Sequence, residues 1–355
     1  MANWNPEILP RENGEIVMMQ TPEIVSASRS TDIPAFYADW FFHRLKVGYS
    51  AWTNPFNGAK IYVSYKNTRF IVFWSKNPQP LLKHLDYLKE RNIGCYIQYS
   101  LNDYEDEKLE LKVPPIQYRI DTFKQLVDKL GIGHVIWRFD PLMLTDDINI
   151  DKLLSKIDRI GDQLKGYTEK LVFSYADISI YRKVKVNLER NKIAYKEWTE
   201  PLMMEFAERL AGLNKKWGYT LATCGERIDL SQYKIKKNHC IDDELMIRFA
   251  YTDKKLMDFL QVQFHPMPSA NIFGETNPLP SDAIILPNNT YVTRGNNKDK
   301  GQRESCGCMK SKDIGEYNTC VHLCEYCYAN TSKDAAKANW KRHLENKESE
   351  TITGR

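Results

Sequence analysis

The sequence predicts an α/β protein built on a parallel sheet, in the form of a complete or partial (β/α) barrel. Short runs of β-branched and aromatic residues alternate with longer helical patterns, as they do in repeated βα units. The chain has 355 residues, a length that one barrel with insertions can absorb. Hydrophobic residues make up 42% of it, so a large core can form. An open doubly wound α/β sheet is the alternative arrangement.

The alternation of predicted strands and helices assigns residues 1–250 to one barrel-like domain. Apolar residues recur at helical spacing between the strands, as Leu81, Leu85 and Leu88 do. The predicted strands cover residues 24–28, 49–52, 61–64, 70–74, 94–99, 134–139, 171–175 and 219–223, and the predicted helices cover residues 34–45, 80–91, 116–130, 150–164 and 201–216.

The alternation ends after residue 250, where prolines interrupt the chain. Residues 251–355 are predicted to be an irregular segment with a small hairpin at 283–292, a cysteine-rich loop and a terminal helix at 332–346 packed on the barrel. Ser332 stands where the N-cap of that helix belongs, and Asp334 lies in its first turn.

Three cysteines in this last segment form the most informative pattern, Cys320-x-x-x-Cys324-x-x-Cys327. Three thiolates within eight residues can hold one inorganic centre, and their spacing suits three corners of a cubane. An iron–sulfur cluster normally takes four cysteines, so three leave one iron open to another ligand. The sequence therefore predicts a C-terminal cysteine-rich iron–sulfur segment with an iron available for chemistry.

The same residues carry a resemblance. Cys320-x-x-x-Cys324-x-Tyr326-Cys327 resembles the signature of radical S-adenosylmethionine enzymes. The resemblance implies a [4Fe–4S] cluster on the three cysteines, S-adenosylmethionine on the fourth iron, and Tyr326 against its adenine. It also implies a deoxyadenosyl radical that takes a hydrogen atom from a substrate, and a reductant such as ferredoxin or flavodoxin.

The wider sequence resembles an uncharacterised bacterial family, domain of unknown function 1848. The matching stretches are 305–330, 28–34 and 137–141, so the similarity spans nearly the whole chain. It implies no established reaction. The chain also departs from radical S-adenosylmethionine enzymes, whose cysteine loop follows their first strand. Their glycine-glycine-glutamate segment is not visible, and Cys224-Gly225-Glu226 is only a faint echo of it.

Other donors leave the ligand set of the cluster open to interpretation. A fourth thiolate from Cys308 or Cys306 closes the cluster, which makes the chain an electron-transfer protein. The three-cysteine pattern is complete without them, which favours an open cluster. A structural zinc site that includes His322 is a further alternative, and it indicates a zinc-stabilised nucleic-acid-binding protein.

The remaining cysteines lie farther from this pattern. Cys224 and Cys240, beside His239, are candidates for another metal site, but they have no close partners in sequence. We therefore interpret both as buried thiols, and Cys95 as a core residue within a strand.

Polar residues follow the predicted strands where a barrel places its reactive groups. Arg138, Asp140 and Glu226 are the catalytic candidates among them. The full ring consists of Arg29, Asp32, Asn54, Lys76, Asn77, Gln98, Arg138, Asp140, Ser174, Asp177, Cys224 and Glu226. We expect this ring to face the cluster and to hold both S-adenosylmethionine and the substrate.

Charge and hydropathy bear on partners and location. The net charge is +4, and basic residues concentrate at 294–312, which fits either a solvated loop or a phosphate-bearing or nucleic-acid substrate. No run approaches the roughly 18 apolar residues that a membrane span needs, and the N-terminus has no basic-then-apolar leader. We expect no membrane partner and a cytoplasmic location, where thiols stay reduced.

Overall fold

The computed structural model describes residues 4–54, 57–269 and 277–355. Its strands are β1 (Glu7–Pro10), β2 (Ile16–Gln20), β3 (Ile24–Ala27), β4 (Tyr49–Thr53), β5 (Lys60–Ser64), β6 (Phe70–Ser75), β7 (Gly94–Ser100), β8 (Val135–Leu142), β9 (Leu144–Thr145), β10 (Lys170–Tyr175), β11 (Tyr195–Lys196), β12 (Thr220–Thr223), β13 (Lys236–Lys237), β14 (Gln263–Pro266), β15 (Ile284–Leu286), β16 (Thr290–Thr293) and β17 (Lys312–Asp313).

Helices follow most strands of the first 250 residues and recur near the end of the chain. They are α1 (Ile33–Phe36), α2 (Ala38–Val47), α3 (Leu85–Glu90), α4 (Ile116–Leu130), α5 (Ile150–Leu164), α6 (Arg182–Arg190), α7 (Glu200–Leu213), α8 (Asp243–Ala250), α9 (Lys254–Phe259) and α10 (Lys333–Glu345), with 3₁₀ turns at Gln79–His84, Asn214–Lys216 and Ser231–Tyr233. In the described part of the chain, no helix is both long and apolar enough to cross a membrane.

Eight parallel strands form the central sheet, in the order β13-β12-β10-β8-β7-β6-β3-β17. Seven of them stand in chain order, and β17 joins from the far end of the chain beside β3. The predicted α/β class is confirmed, because helices connect successive parallel strands of this sheet.

A closed barrel does not form among the described residues, since β13 and β17 are the two edges of the sheet. Each edge strand is only two residues long, so the two edges do not pair through a row of backbone hydrogen bonds. Contact is made instead just beyond the strands, where the backbone N–H of Met309 donates to the carbonyl of Ile241 at 3.0 Å. The arrangement is thus an open sheet whose edges approach each other.

Different parts of the chain cover the two faces of this sheet. Val25 and Phe73 pack in one core with α2, α4, α5 and α7. Ile24 and Val72, which point to the other face, pack in a second core with α8, α9 and β15. Helices thus cover a face that a closed barrel fills with strand side chains alone, which accounts for the open sheet.

Residues after 250 supply much of this second face. Strands β14, β16 and β15 form a small antiparallel sheet within the predicted irregular segment. Residues 270–276 of that segment lie outside the described residues. In a separate four-stranded sheet, β1, β2, β5 and β4 stand side by side, and Arg11 there bonds the Glu350 carboxylate with both distances at 2.8 Å.

Two helical glycines provide a test of the packing on the first face. A Cβ on Gly161 of α5 would lie 2.4 Å from the Trp217 ring, whereas one on Gly212 of α7 has nothing within 4 Å. We expect Gly161→Ala to lower the free energy of unfolding by about 1–3 kcal/mol, because the indole must shift. Gly212→Ala should raise it by up to about 1 kcal/mol. Urea unfolding of both variants checks this, and equal effects would contradict the packing of α5.

Candidate functional site

The three-cysteine loop lies at the carboxyl end of the parallel sheet. It follows β17, which runs parallel to β3 with Lys312 opposite Val25, and it precedes α10. The hydroxyls of Thr31 and Thr319 hydrogen-bond at 2.7 Å, which ties the start of the loop to the chain that follows β3. The last βα unit of the chain therefore places its cysteines where parallel strands present their functional groups.

Asp32 is the principal anchor of this loop. Its carboxylate accepts the His322 ring N–H at 2.8 Å, the Ser75 hydroxyl at 2.6 Å and the Lys76 backbone N–H at 2.7 Å. It also caps α1 by accepting the N–H of Ala35 at 3.0 Å. One buried carboxylate thus joins the ends of β3 and β6 to the cysteine loop.

A second anchor comes from the chain after β7. The N–H of Glu325 donates to the carbonyl of Leu109 at 2.9 Å, and the N–H of Lys112 donates to the carbonyl of His322 at 3.0 Å. These bonds flank an isolated bridge between Glu110 and Cys324. The loop is therefore held by the ends of three neighbouring strands, β3, β6 and β7.

The surroundings of the three thiols suit metal ligands. Burial raises the pKa of Cys320, Cys324 and Cys327, and the Cys320 and Cys327 thiolates raise that of Cys324 further. Backbone N–H groups oppose this effect at two of the sulfurs: those of His322 and Asp32 lower the pKa of Cys320, and those following Cys327 lower its own. Such N–H donors are typical partners of cluster-bound thiolates.

Two further features near the thiols agree with a bound group. Lys76 lowers the pKa of both Cys324 and Cys327 through its positive charge. The side-chain oxygen of Asn330 is buried without a hydrogen-bond partner, while its amide nitrogen donates to the carbonyl of Cys320 at 2.8 Å. A buried acceptor left unpaired beside a thiol group fits a site that holds a ligand.

Tyr326 lies inside the protein rather than on its surface. Its hydroxyl donates to the Glu110 carboxylate and accepts from Lys76 at 2.9 Å and from Asn102 at 3.1 Å. The Lys76 ammonium also lies 5.3 Å from the centre of its ring. The ring is thus fixed in a polar network, and its contact with an adenine stays a prediction.

Glu110 is the anion of that network. Burial raises the pKa of this carboxyl, but the Lys76 and Arg119 cations outweigh it and hold the pKa at about 2. Its Oε1 lies 2.8 Å from Lys76 Nζ, and its Oε2 lies 3.7 Å from Arg119 Nη2. The sequence carried no signal for this residue, because it stands in a loop with no periodic pattern.

The predicted catalytic residues gather at the ends of β8, β10 and β12. The Arg138 guanidinium pairs with Asp140, which also accepts the Ser174 hydroxyl, and it donates to Gln98 at 3.0 Å. It also lies 5.3 Å from the centre of the Trp74 ring. Gln98, Arg138, Asp140 and Ser174, all members of the predicted ring, are therefore one connected group of side chains.

Glu226 adds a titratable group beside these residues. Burial raises its pKa to about 7, and the negative charges of Asp177 and Asp140 add to the effect, although the N–H of Tyr175 donates to it at 2.9 Å and lowers the pKa. A carboxyl group that titrates near neutral pH can give or take a proton.

The structure separates the cysteines into two groups. Cys308 is surrounded by residues other than the loop, because its sulfur accepts the N–H of Cys240 at 3.2 Å. The sulfurs of Cys240 and Cys224 lie 3.1 Å apart, a pairing that their separation in sequence concealed. Both are free cysteines, and Cys240 is buried as predicted, whereas Cys224 is partly exposed.

The predicted ring divides between these two groups. Asp32 and Lys76 contact the three-cysteine loop, whereas Gln98, Arg138, Asp140, Ser174, Cys224 and Glu226 stand on the other side. Arg29 lies between them, since its carbonyl accepts the Tyr328 hydroxyl at 2.7 Å. Burial lowers the pKa of its guanidinium, but the negative charges of Asp313, Cys308 and Cys240 outweigh this and raise it.

Comparison with known proteins gives one match. A family model described as "Domain of unknown function (DUF1848)" matches residues 24–329. No curated protein and no solved structure gives a significant match.

The ionised state of Glu110 should be visible in the acid stability of the protein. Its folded pKa of about 2 lies below the ordinary value of 4.5, so the stabilisation that it contributes is complete above pH 4.5 and is lost as the pH falls towards 2. We expect Glu110→Gln to have a lower free energy of unfolding than the wild type at neutral pH. Between pH 4.5 and 2 the free energy of unfolding of this variant should fall by on the order of 3 kcal/mol less than that of the wild type. Urea unfolding at several pH values measures this, with the exposed Glu208→Gln as control; parallel profiles for wild type and Glu110→Gln would contradict it.

Removal of the Asp32 carboxylate should loosen the cysteine loop. We expect Asp32→Ala to lower the free energy of unfolding by about 3–5 kcal/mol, because His322 and two strand ends lose a buried acceptor. Asp39→Ala is the matched control, since that carboxylate is 74% exposed and its ion pairs lie on the surface, where removal costs about 0–1 kcal/mol. Similar losses in thermal or urea unfolding would show that Asp32 does not anchor the loop.

Proposed function

We propose that this chain, which belongs to the family described as "Domain of unknown function (DUF1848)", is an iron–sulfur enzyme acting on S-adenosylmethionine. Cys320, Cys324 and Cys327 hold a [4Fe–4S] cluster in this proposal, and one iron is left for the amino and carboxyl groups of S-adenosylmethionine. When bound and reduced, this pair supplies a radical that abstracts a hydrogen atom from a substrate.

The position of the cysteine loop is the observation that carries this proposal. In sequence the loop stands last, which conflicts with an arrangement in which it follows the first strand. In space it follows β17, an edge strand parallel to β3, and it lies over the strand ends. The unit of β17, loop and α10 therefore precedes β3 along the sheet, as a first βα unit does.

The surroundings of Cys308 favour an open cluster over a closed one. Its sulfur accepts the backbone N–H groups of Cys240 at 3.2 Å and of Ile241 at 3.5 Å. These contacts supply no fourth thiolate to the loop. A donor set of three leaves a coordination position for a small molecule.

The polar groups at the strand ends have distinct tasks in this proposal. Lys76 and Tyr326 fix the loop through Glu110, which keeps the thiols at constant positions. Arg138 and Asp140 form a rigid charged pair that can orient a substrate. Glu226, with a pKa of about 7, can hold or release a proton beside them.

The basic stretch at 294–312 gives little support to a nucleic-acid substrate. Arg294 bonds Asp243 at 3.0 Å, and Lys298 donates to the carbonyl of Glu304 at 2.8 Å. Lys312 is buried, with its ammonium 4.0 Å from the centre of the Trp52 ring. Arg294 is paired with a carboxylate and Lys312 is buried, so neither is available to a polyanion.

Electron paramagnetic resonance tests the proposal. We expect the full chain, purified without oxygen and reduced, to give a cluster signal that changes when S-adenosylmethionine is added. We expect Cys324→Ser to lose about four iron atoms per chain and this response, while its far-UV circular dichroism stays that of the folded sheet. Cys95→Ser is the matched control, because Cys95 lies in the core on β7 and should keep both.

Three outcomes contradict the proposal in different ways. An unchanged spectrum with iron and sulfide present indicates a closed electron-transfer cluster. Zinc in place of iron indicates a structural site. A cluster signal in Cys324→Ser equal to that of the wild type excludes the loop as its ligand.

A further inference from the structure

We propose that a second [4Fe–4S] cluster is bound beside the first, with four ligands supplied by distant parts of the chain. These ligands are Cys224, Cys240, Cys306 and Cys308. The proposal does not depend on the use of S-adenosylmethionine, because it concerns a separate set of thiols.

The fold brings these four thiols into one continuous group. The sulfurs of Cys224 and Cys240 lie 3.1 Å apart. The sulfur of Cys308 accepts the backbone N–H of Cys240 at 3.2 Å, and Cys306 stands two positions before Cys308 in the chain. Three segments that are far apart in sequence thus direct all their cysteines to one place. A core that only needs small apolar residues gives no reason for such a convergence.

The neighbours of these sulfurs stabilise thiolates. The sulfur of Cys240 accepts hydrogen bonds from the Arg138 guanidinium at 3.2 Å and from the Asn238 amide at 3.2 Å. The sulfur of Cys308 accepts the N–H groups of Cys240 and Ile241. Thiolates with N–H donors are the form in which cysteines bind a cluster.

The local backbone is shaped for this approach. Gly307 separates two of the cysteines, and a Cβ at that position would lie 2.2 Å from the His239 ring. Only glycine lets the turn from Cys306 to Cys308 pack so closely on the segment that carries Cys240. The contact lies where the chain beyond β13 meets the chain before β17, as the bond from Met309 to Ile241 records. A cluster here links the two edges of the open sheet.

The arrangement fits a cluster better than a single ion. Four thiolates around one zinc ion lie about 3.8 Å from one another, given a zinc–sulfur distance of about 2.3 Å. Among the described residues, no three cysteine sulfurs lie within 4.8 Å of one another, so the four thiols are not gathered around one ion position. A cubane presents four separate iron atoms and so binds sulfurs that are farther apart than those around one zinc ion. The sulfurs of Cys224 and Cys240 lie 3.1 Å apart and have to separate to reach two of these irons.

The neighbouring carboxylates do not offer a better site. His239, Asp242 and Asp243 are the one such group whose ligand atoms lie within 4.8 Å of one another in the described chain. Asp243 is occupied by Arg294 at 3.0 Å and Asn297 at 3.1 Å, and Asp242 caps α8. The carboxylate oxygens of Asp242 and Asp243 therefore already have hydrogen-bond or ion-pair partners in the fold.

Metal analysis of the full chain purified without oxygen tests the inference. We expect about eight iron atoms and about eight sulfides per wild-type chain, which is the content of two [4Fe–4S] clusters. Cys308→Ser and Cys306→Ser should each hold about half of this, and Cys324→Ser should retain the other half. The double variant Cys306→Ser/Cys324→Ser should hold almost none, and Cys95→Ser should equal the wild type.

Each other result overturns the inference. Iron in Cys308→Ser and Cys306→Ser equal to that of the wild type excludes these thiols as ligands. If these variants lose about one zinc atom per chain while their iron content equals that of the wild type, the four thiols form a zinc site. A thiol count on denatured, unreduced wild-type protein tests for a disulfide. If two thiols are missing and the second set of four iron atoms is absent, Cys224 and Cys240 form a disulfide. Cys306 is only half-buried, so its variant keeps the test valid if Cys308→Ser fails to fold. These iron counts do not depend on whether S-adenosylmethionine changes the electron paramagnetic resonance spectrum, so the proposed function can fail while this inference holds.

Discussion

The Asp32 carboxylate is the interaction on which the arrangement of the site depends. It lies 7% exposed at the junction of β3, β6, α1 and the cysteine loop, and each of its oxygens accepts two hydrogen bonds. A buried carboxylate is stable only when such donors replace water. Its position at the first turn of α1 adds the favourable field of a helix N-terminus. This one side chain therefore connects the strand ends, the helix and the loop to one another.

Other buried charged side chains, each paired with an opposite charge, lie across the carboxyl end of the sheet. Lys76, Glu110 and Arg119 form one network, and Arg138 with Asp140 forms another. One oxygen of Glu110 and one nitrogen of Arg119 are buried without hydrogen-bond partners. Charged groups at such depth cost more than apolar residues of the same size, so their concentration at one end of the sheet is typical of a functional site.

Local patterns in the sequence were sufficient for much of the fold. Helices α4 and α5 have the bounds that were predicted, because their apolar residues repeat at helical spacing over fifteen positions. The cysteine loop was likewise recognisable, since its three ligands stand within eight residues. What the sequence could not show are contacts between distant segments. The pairing of Cys224 with Cys240, the place of Glu110 beside Tyr326, and the packing of α8 that keeps the sheet open all depend on tertiary structure.

The pairing of β17 with β3 has a consequence for how the protein folds. Ser26 and Asp313 bond across 287 positions of sequence, so this contact closes one of the largest loops in the chain. Contacts of such long range form slowly, because the entropy lost on closure precedes any gain from packing. Until then β3 has an unpaired edge, and the thiols that follow β17 stay in solvent. Sulfur ligands that end up buried are thus accessible to incoming metal chiefly before this contact forms.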